Sequence, residues 1–323
     1  MRAVVAGAGG FIGGHLTKKL LDQGFEVTAV DKKGIKDWYQ VFDKANNISL
    51  DLSESRNCEQ AVEGSDWVFN LAADMGGMGF IEKNKALCMI SVLINTNLLV
   101  ASKKVGVKKY FFASSACVYA SQYQNFNVDK NISLKEINAY PADPEDGYGW
   151  EKLFSERMCR HFFEDFDFEV RVARYHNVYG PYGTYYGGRE KAPSAAIRKI
   201  LEFKNREIDH VEIWGDGKQL RSFTYIDDCI DGTLLLMNSN FREPINIGSS
   251  ETISIRELYD YAAESCGVVN PPYTFNLNAP VGVLGRSSNN DLCLEVLDWE
   301  PNIKFKDGIT KTANWISAQA ENN

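Results

Sequence analysis

The sequence predicts an α/β protein, a doubly wound parallel sheet with a smaller, discontinuous C-terminal lobe. Three observations lead there. Short apolar runs alternate with helix-period segments through the first half, the pattern of strands covered by helices on both faces. A glycine-rich turn, Gly7-Ala8-Gly9-Gly10-Phe11-Ile12-Gly13, follows the first run. After about Tyr179 the pattern loosens into glycines and one helix, until Asn246-Ile247-Gly248 reads as a late strand returning to the sheet.

The elements follow in order. Arg2 to Ala6 is a strand, and His15 to Gln23 is a helix with Leu16, Leu20 and Leu21 on one face. Gly24 closes that helix, and Phe25 to Val30 is a second strand ending at Asp31, completing a β-α-β unit. Strands are predicted at Ile48 to Leu50, Trp67 to Ala72, Tyr110 to Ala113 and Glu169 to Ala173, with helices around Ile90 to Val105 and Tyr148 to Phe163. The lobe should hold a helix near Pro193 to Phe203 and a hairpin around Trp214-Gly215-Asp216-Gly217. The expected division is a dinucleotide-binding domain over 1–178 and 223–248, and a substrate lobe over 179–222 and 249–323.

Composition narrows the class of ligand. The 323 residues are 44% hydrophobic and 24% charged, enough to bury a sizeable core. A net charge of −8 repels polyanions, so nucleic acid is not an expected partner, whereas a small anionic substrate is allowed if a few arginines are placed in its pocket. Seven cysteines without a C-x-x-C and four histidines without ligand spacing predict neither a disulfide framework nor a metal site. With the first strand starting at Arg2 and no apolar run judged to approach the roughly 18 residues that span a bilayer, the expectation is a cytoplasmic protein without a membrane partner.

The glycine turn has a physical use. A dinucleotide's pyrophosphate must approach backbone N–H groups at a helix N-terminus, where side chains would obstruct it. Gly7, Gly10 and Gly13 resemble the G-x-x-G-x-x-G of the extended short-chain dehydrogenase/reductases, which implies cofactor contacts from these glycines and from Phe11 and Ile12 between them. That resemblance implies a Rossmann sheet. Asp31, eighteen residues after Gly13, can accept hydrogen bonds from the adenosine ribose and repels a 2′-phosphate, favouring NAD over NADP. Asp51-Leu52 resembles the family's adenine contact.

Tyr148 and Lys152 stand at i and i+4, on one face of a helix. A lysine charge, joined by an oxidised nicotinamide ring, draws a phenol towards the pKa a base needs. With Ser114-Ser115 at the end of the preceding strand, the set resembles the short-chain dehydrogenase/reductase triad. Four further stretches narrow the resemblance over nearly the whole chain to the GDP-mannose 3,5-epimerases: 72–80, 114–119, Gly187-Gly188-Arg189-Glu190-Lys191-Ala192-Pro193 and 214–219. Ala116-Cys117 stands where sugar-nucleotide 4,6-dehydratases carry an acidic pair, and simple 4-epimerases lack the run around Lys191.

The resemblance implies an NAD-dependent enzyme acting on a GDP-sugar, with Tyr148, Lys152 and Ser115 serving oxidation at C4, Cys117 as base and Lys191 as acid at C3 and C5. It implies substrate contacts from Gly77, Met78, Ser114, Ser115, Asn177, Glu190, Lys191, Ala192, Pro193, Lys199 and Gln219, and a pyrophosphate clamp of Arg221 and Arg286. Arg189 also fits the positive charge a diphosphate demands. A homodimer through the helices around Ile90 to Val105 and Tyr148 to Phe163 is implied as well. Departures from the family pattern are the 120–127 segment, Trp150 and Leu220, all around the pocket. Two alternatives stand beside this reading: a related GDP-hexose or GDP-heptose 4-oxidising epimerase, and a non-catalytic NAD-sensing module, which could dispense with Tyr148, Lys152, Cys117 and Lys191.

Overall fold

The computed structural model describes residues 1–124 and 133–321. The first half runs β1 (Arg2–Ala6), α1 (Phe11–Asp22), β2 (Glu26–Asp31), β3 (Asn46–Ser49), α2 (Ser55–Val62), β4 (Trp67–Asn70), α3 (Met78–Lys83), α4 (Lys85–Ile90), α5 (Val92–Val105), β5 (Lys109–Ser115), β6 (Ser133–Leu134), α6 (Asp146–Phe166) and β7 (Val170–Tyr175). Then come β8 (Val178–Tyr179), α7 (Ala192–Lys204), β9 (Val211–Trp214), β10 (Leu220–Ser222), β11 (Thr224–Tyr225), α8 (Ile226–Asn238), β12 (Ile245–Ile247), β13 (Thr252–Ser254), α9 (Ile255–Ser265), β14 (Tyr273–Asn276), β15 (Gly285–Ser288), α10 (Asp291–Leu297) and α11 (Phe305–Glu321).

Seven strands form one parallel sheet in the order β12-β7-β5-β4-β1-β2-β3. Alternation along each strand feeds two cores. Ala3, Val5, Phe69 and Phe111 join Leu16 and Leu20 of α1, while Val4, Ala6, Val68 and Phe112 join Leu98 and Leu99 of α5 and Cys159 of α6. The strand order reverses at β1, so the carboxyl ends of β1 and β4 flank a crevice, the place where such sheets bind ligands. Three smaller sheets stand beside it, β13-β10-β15-β6, β14-β9 and β11-β8, and their strands β6 and β11 come from within the spans 1–178 and 223–248.

Four local expectations shift. The first helix starts at Phe11 rather than His15, because the glycine turn itself makes the first helical turn. The predicted hairpin is absent: Gly215 and Gly217 do take positive φ, but β9 pairs in parallel with β14 and β10 pairs with β13 and β15, so the flanking strands enter different sheets. The helix expected from Ile90 is preceded by α4 and joined to it at Ser91. The stretch Lys85–Val105 also overturns the expectation about apolar runs, since it is long and apolar enough by length and composition to cross a membrane, with a mean hydropathy of 1.5. No charge falls between Ala86 and Ser102 because α5 packs between α2 and α6 with Leu98 and Leu99 fully buried.

Candidate active site

The glycine turn leaves no room for side chains. A Cβ on Gly13 would stand 2.1 Å from the carbonyl oxygen of Gly7, and one on Gly7, at φ +84°, would stand 2.9 Å from the backbone nitrogen of Ala72. Gly10 caps α1 without a side-chain hydrogen bond, and no acidic residue lies in the first turn, so the N–H groups of that end face an anion-compatible cradle. Asp31 ends β2, buried, its Oδ1 accepting from the Lys33 N–H at 3.0 Å. Lys33 Nζ donates to Gly9 O at 2.6 Å, and Trp38 fills the space beside Gly9. Asp51 accepts from the Ser53 N–H at 2.9 Å, which holds its carboxyl below the usual range, and Leu52 beside it is buried. Phe11 lies against Gly183 and Ile12 packs on the core. This bare cradle with a buried carboxylate after the second strand fits NAD.

Tyr148 sits in the first turn of α6, buried with Cys88 and Ile81, and Cys117 packs against the same cluster. Lys152 lies one turn on, its Nζ 5.6 Å from the Tyr148 ring centroid, 4.6 Å from that of Phe112, and 3.5 Å from Glu151 Oε2. Burial pushes the Tyr148 phenol well above its ordinary value, Cys117 and Glu151 add to the rise, and a hydrogen bond to Ser115 opposes it. The expected lowering is therefore not produced by the chain's own residues. Lys152 Nζ instead stands beside the adjoining Glu151 carboxylate.

Ser114 and Ser115 separate. Ser115 Oγ accepts from the Cys117 N–H at 3.2 Å, whereas Ser114 Oγ donates to Glu156, which is ion-paired with Arg174 beneath the sheet. Ser114 thus faces away from Ser115 and Cys117, because successive residues of a strand face opposite ways.

Cys117 and Lys191 come from distant segments. Cys117 is half-buried just beyond β5, and Glu145 N–H donates to its carbonyl at 3.1 Å. Lys191 caps α7, whose first turn holds exposed Ala192 and buried Pro193. The preceding loop is pinned by Gly77 N–H to Arg189 O at 3.1 Å and by Gly188 N–H to Glu190 at 2.6 Å; a Cβ on Gly77 would meet Glu190 O at 2.5 Å. This brings Lys191 within electrostatic reach of Cys117. Burial pushes the Lys191 ammonium down and Cys117 works against that; burial pushes the Cys117 thiol up, and Arg286 opposes it. The two shifts run in opposite directions, the lysine down and the cysteine up.

Arg221 and Arg286 are direct neighbours in the β10–β15 register. Arg221 donates to the carbonyls of Leu220, Val281 and Val283, and burial together with Arg286 pulls its guanidinium down. Arg286 donates from Nη1 to Cys117 Sγ at 3.5 Å, from Nε to Gln124 Oε1 at 2.6 Å, and from Nη2 to Glu145. Arg189 instead stacks on Phe80, 3.8 Å from its centroid, and reaches Asp74. Met78 packs beside Gly282, and Trp214 beside Gly79, joining the loops around the crevice. Lys199 donates to Glu212 O at 2.8 Å, and Asn177 Nδ2 to Ser222 O at 2.9 Å with φ +41°. Gln219 is buried with Oε1 unpartnered.

Glu145, Gln124 and Glu151 are the site neighbours that sequence reading missed. Glu151 carried a signal in standing next to Lys152, and Gln124 stood within the divergent 120–127 segment, but Glu145 and Gln124 meet Arg286 across 141 and 162 residues and nothing local pointed to either contact. Leu220 is a half-buried strand residue and Trp150 is exposed, while residues 125–127 of the divergent 120–127 segment lie outside those described.

A strand, glycine turn and helix feeding a Tyr-Lys pair and a Ser-bearing strand define an NAD-dependent enzyme of Rossmann type. The sequence model of the NAD dependent epimerase/dehydratase family matches residues 3–248, and the chain belongs to that family. It is 45% identical over 323 residues to GDP-mannose 3,5-epimerase 1 of Oryza sativa subsp. japonica, covering 99% of this chain and 83% of the relative, and 43% identical over the same shares to GDP-mannose 3,5-epimerase of Arabidopsis thaliana. The resemblance read from the motifs is borne out. In fold it matches UDP-glucose 4-epimerase of Thermotoga maritima, solved with UDP-glucose, at a TM-score of 0.86 and 24% identity over 99% of this chain and 100% of that one.

Proposed function

We propose that the protein inverts a GDP-sugar, GDP-mannose foremost, at C3 and C5. The observation that carries this reading is the convergence of Cys117, Lys191 and Tyr148 on one crevice. NAD, held by Gly7, Gly10, Gly13 and Asp31, supplies reversible oxidation at C4. Tyr148 exchanges the proton of the 4-hydroxyl, with Ser115 hydrogen-bonded to its phenol. Once C4 is a ketone, hydrogens at C3 and C5 lie next to a carbonyl and leave as protons. Cys117 removes them from one side and Lys191 returns a proton from the other. Burial draws the lysine down, which favours its giving up a proton, while Arg286 opposes the rise that burial imposes on the thiol.

Charge supports an anionic substrate in an acidic protein. Arg221 and Arg286 lie side by side and, among the described residues, Glu145 is the carboxylate that pairs with them, which supports a pocket positive enough for a diphosphate. The test is product analysis by NMR: GDP-mannose incubated with the NAD-loaded protein gives C3- and C5-inverted sugars, and a mixture in which only C4 has changed, or nothing has, overturns the reading.

The assembly we infer is a homodimer. Its support is the exposed apolar surface of α4 to α6, where Ile90, Trp150 and Phe154 are 54%, 46% and 56% exposed. Light scattering that gives a monomer at micromolar concentration sinks it. The free thiols among the described residues support a reducing compartment, the cytoplasm.

A further inference from the structure

Glu145 is fastened to Cys117 twice. Its backbone N–H donates to Cys117 O at 3.1 Å, and its carboxylate accepts from Arg286 Nη2, whose Nη1 in turn donates to Cys117 Sγ at 3.5 Å. The result is a closed ring of backbone, carboxylate, guanidinium and sulfur. The ion pair is well covered, with the Arg286 side chain 6% and the Glu145 side chain 15% exposed. Gln124 holds the remaining Nε at 2.6 Å, so every guanidinium nitrogen is directed by the protein. Gly149 allows the ring to close, since a Cβ there would meet Cys117 O at 2.3 Å.

We propose that Glu145 is a positioning residue for the inversion at C3 and C5: by gripping Arg286 it keeps the guanidinium on Cys117 Sγ and so sets how readily that thiol releases its proton. This rests on the reading of Cys117 as the base. Two effects of the carboxylate have opposite sign. Its charge disfavours the thiolate, while its grip keeps a favourable cation within reach of the sulfur. The other groups facing Cys117 among the described residues are Ser115 and Tyr148 from the sheet and α6, Lys191 from the α7 loop, Arg221 from β10 and Cys88 from α4, while Glu145 Oε2 is held by Arg286 Nη2. Removing one partner of a covered ion pair altogether is strongly destabilising, so conservative variants separate charge from position.

The experiment is the pH profile of Cys117 alkylation by iodoacetamide in the NAD-loaded enzyme, with Cys117→Ala subtracting the other thiols. Glu145→Gln keeps an acceptor oxygen for Arg286 and loses the charge, so the alkylation midpoint falls by about half a pH unit or more. Glu145→Asp keeps the charge and draws the acceptor back by one methylene, so Arg286 is pulled off the sulfur and the midpoint rises by a similar amount. Shifts in opposite directions support the proposal. If Glu145→Asp leaves the midpoint unchanged or lowers it, or if neither variant moves it, the proposal fails. Alkylation needs no sugar, so failure of the epimerase reading shows separately, as absence of solvent deuterium uptake by the wild-type enzyme.

Discussion

Ser114 and Ser115 are neighbours on β5 and serve opposite faces of it: Ser114 Oγ is bonded to the Glu156 carboxylate of a covered Glu156–Arg174 pair, and Ser115 Oγ accepts from the Cys117 N–H at 3.2 Å. Ser115→Ala should therefore lower turnover by about a hundredfold at nearly unchanged stability. Ser114→Ala should leave turnover close to wild type and cost about 1–3 kcal/mol in denaturant unfolding, by stripping a partner from a covered carboxylate. If Ser114→Ala is the variant that loses turnover, the assignment of the two serines is reversed.

The glycine cradle gives a steric prediction. With a Cβ placed 2.1 Å from Gly7 O, Gly13→Ala forces the turn to open, because two backbone segments meet there and neither has a flexible end to yield. Isothermal titration should show NAD affinity falling by at least about tenfold, an order expected for the loss of one good pyrophosphate contact. An unaltered affinity would mean that the pyrophosphate lies elsewhere.

His176 makes stability depend on pH. Burial pulls its imidazole from 6.5 down to about 3, while Nε2 stays hydrogen-bonded to Asn246 Oδ1 at 2.9 Å. The folded chain keeps this ring neutral, and the unfolded chain protonates it below about 6.5, so between those values the unfolded state binds more protons. Stability contributed by this group is complete above about pH 6.5 and declines as pH falls towards 3, by up to about 1.4 kcal/mol per unit. Urea unfolding from about pH 7 to about pH 5 should show that slope in the wild type and a shallower one in His176→Gln. Equal slopes would remove His176 as the cause.

Much of this was legible because it is local. The β-α-β unit, the glycine turn, the Tyr148–Lys152 spacing and Asp31 are written within short windows whose periodicity and special residues dictate the backbone. What was not legible depends on facing. Ser114 and Ser115 could not be told apart until β5 had a known inner side, and the turn at Gly215 and Gly217 signals a reversal without saying which strands it will serve. The Tyr148 phenol was expected to be lowered by Lys152, but the sum of burial and a neighbouring Glu151 carboxylate emerges only once side chains share a volume. Arg286 was read as a pyrophosphate clamp from its stretch alone, whereas its partners Glu145 and Gln124 lie 141 and 162 residues away.

In the proposed reaction Cys117 exchanges the carbon-bound protons of a GDP-sugar beside Tyr148 and Lys191. This exchange is tested most directly by solvent deuterium uptake from GDP-mannose in heavy water, followed by NMR at C3 and C5, comparing the wild-type enzyme with Cys117→Ala, both carrying NAD. Deuterium is expected at both carbons with the wild type and at neither with Cys117→Ala while its NAD remains bound. Uptake by Cys117→Ala at the wild-type rate would contradict it.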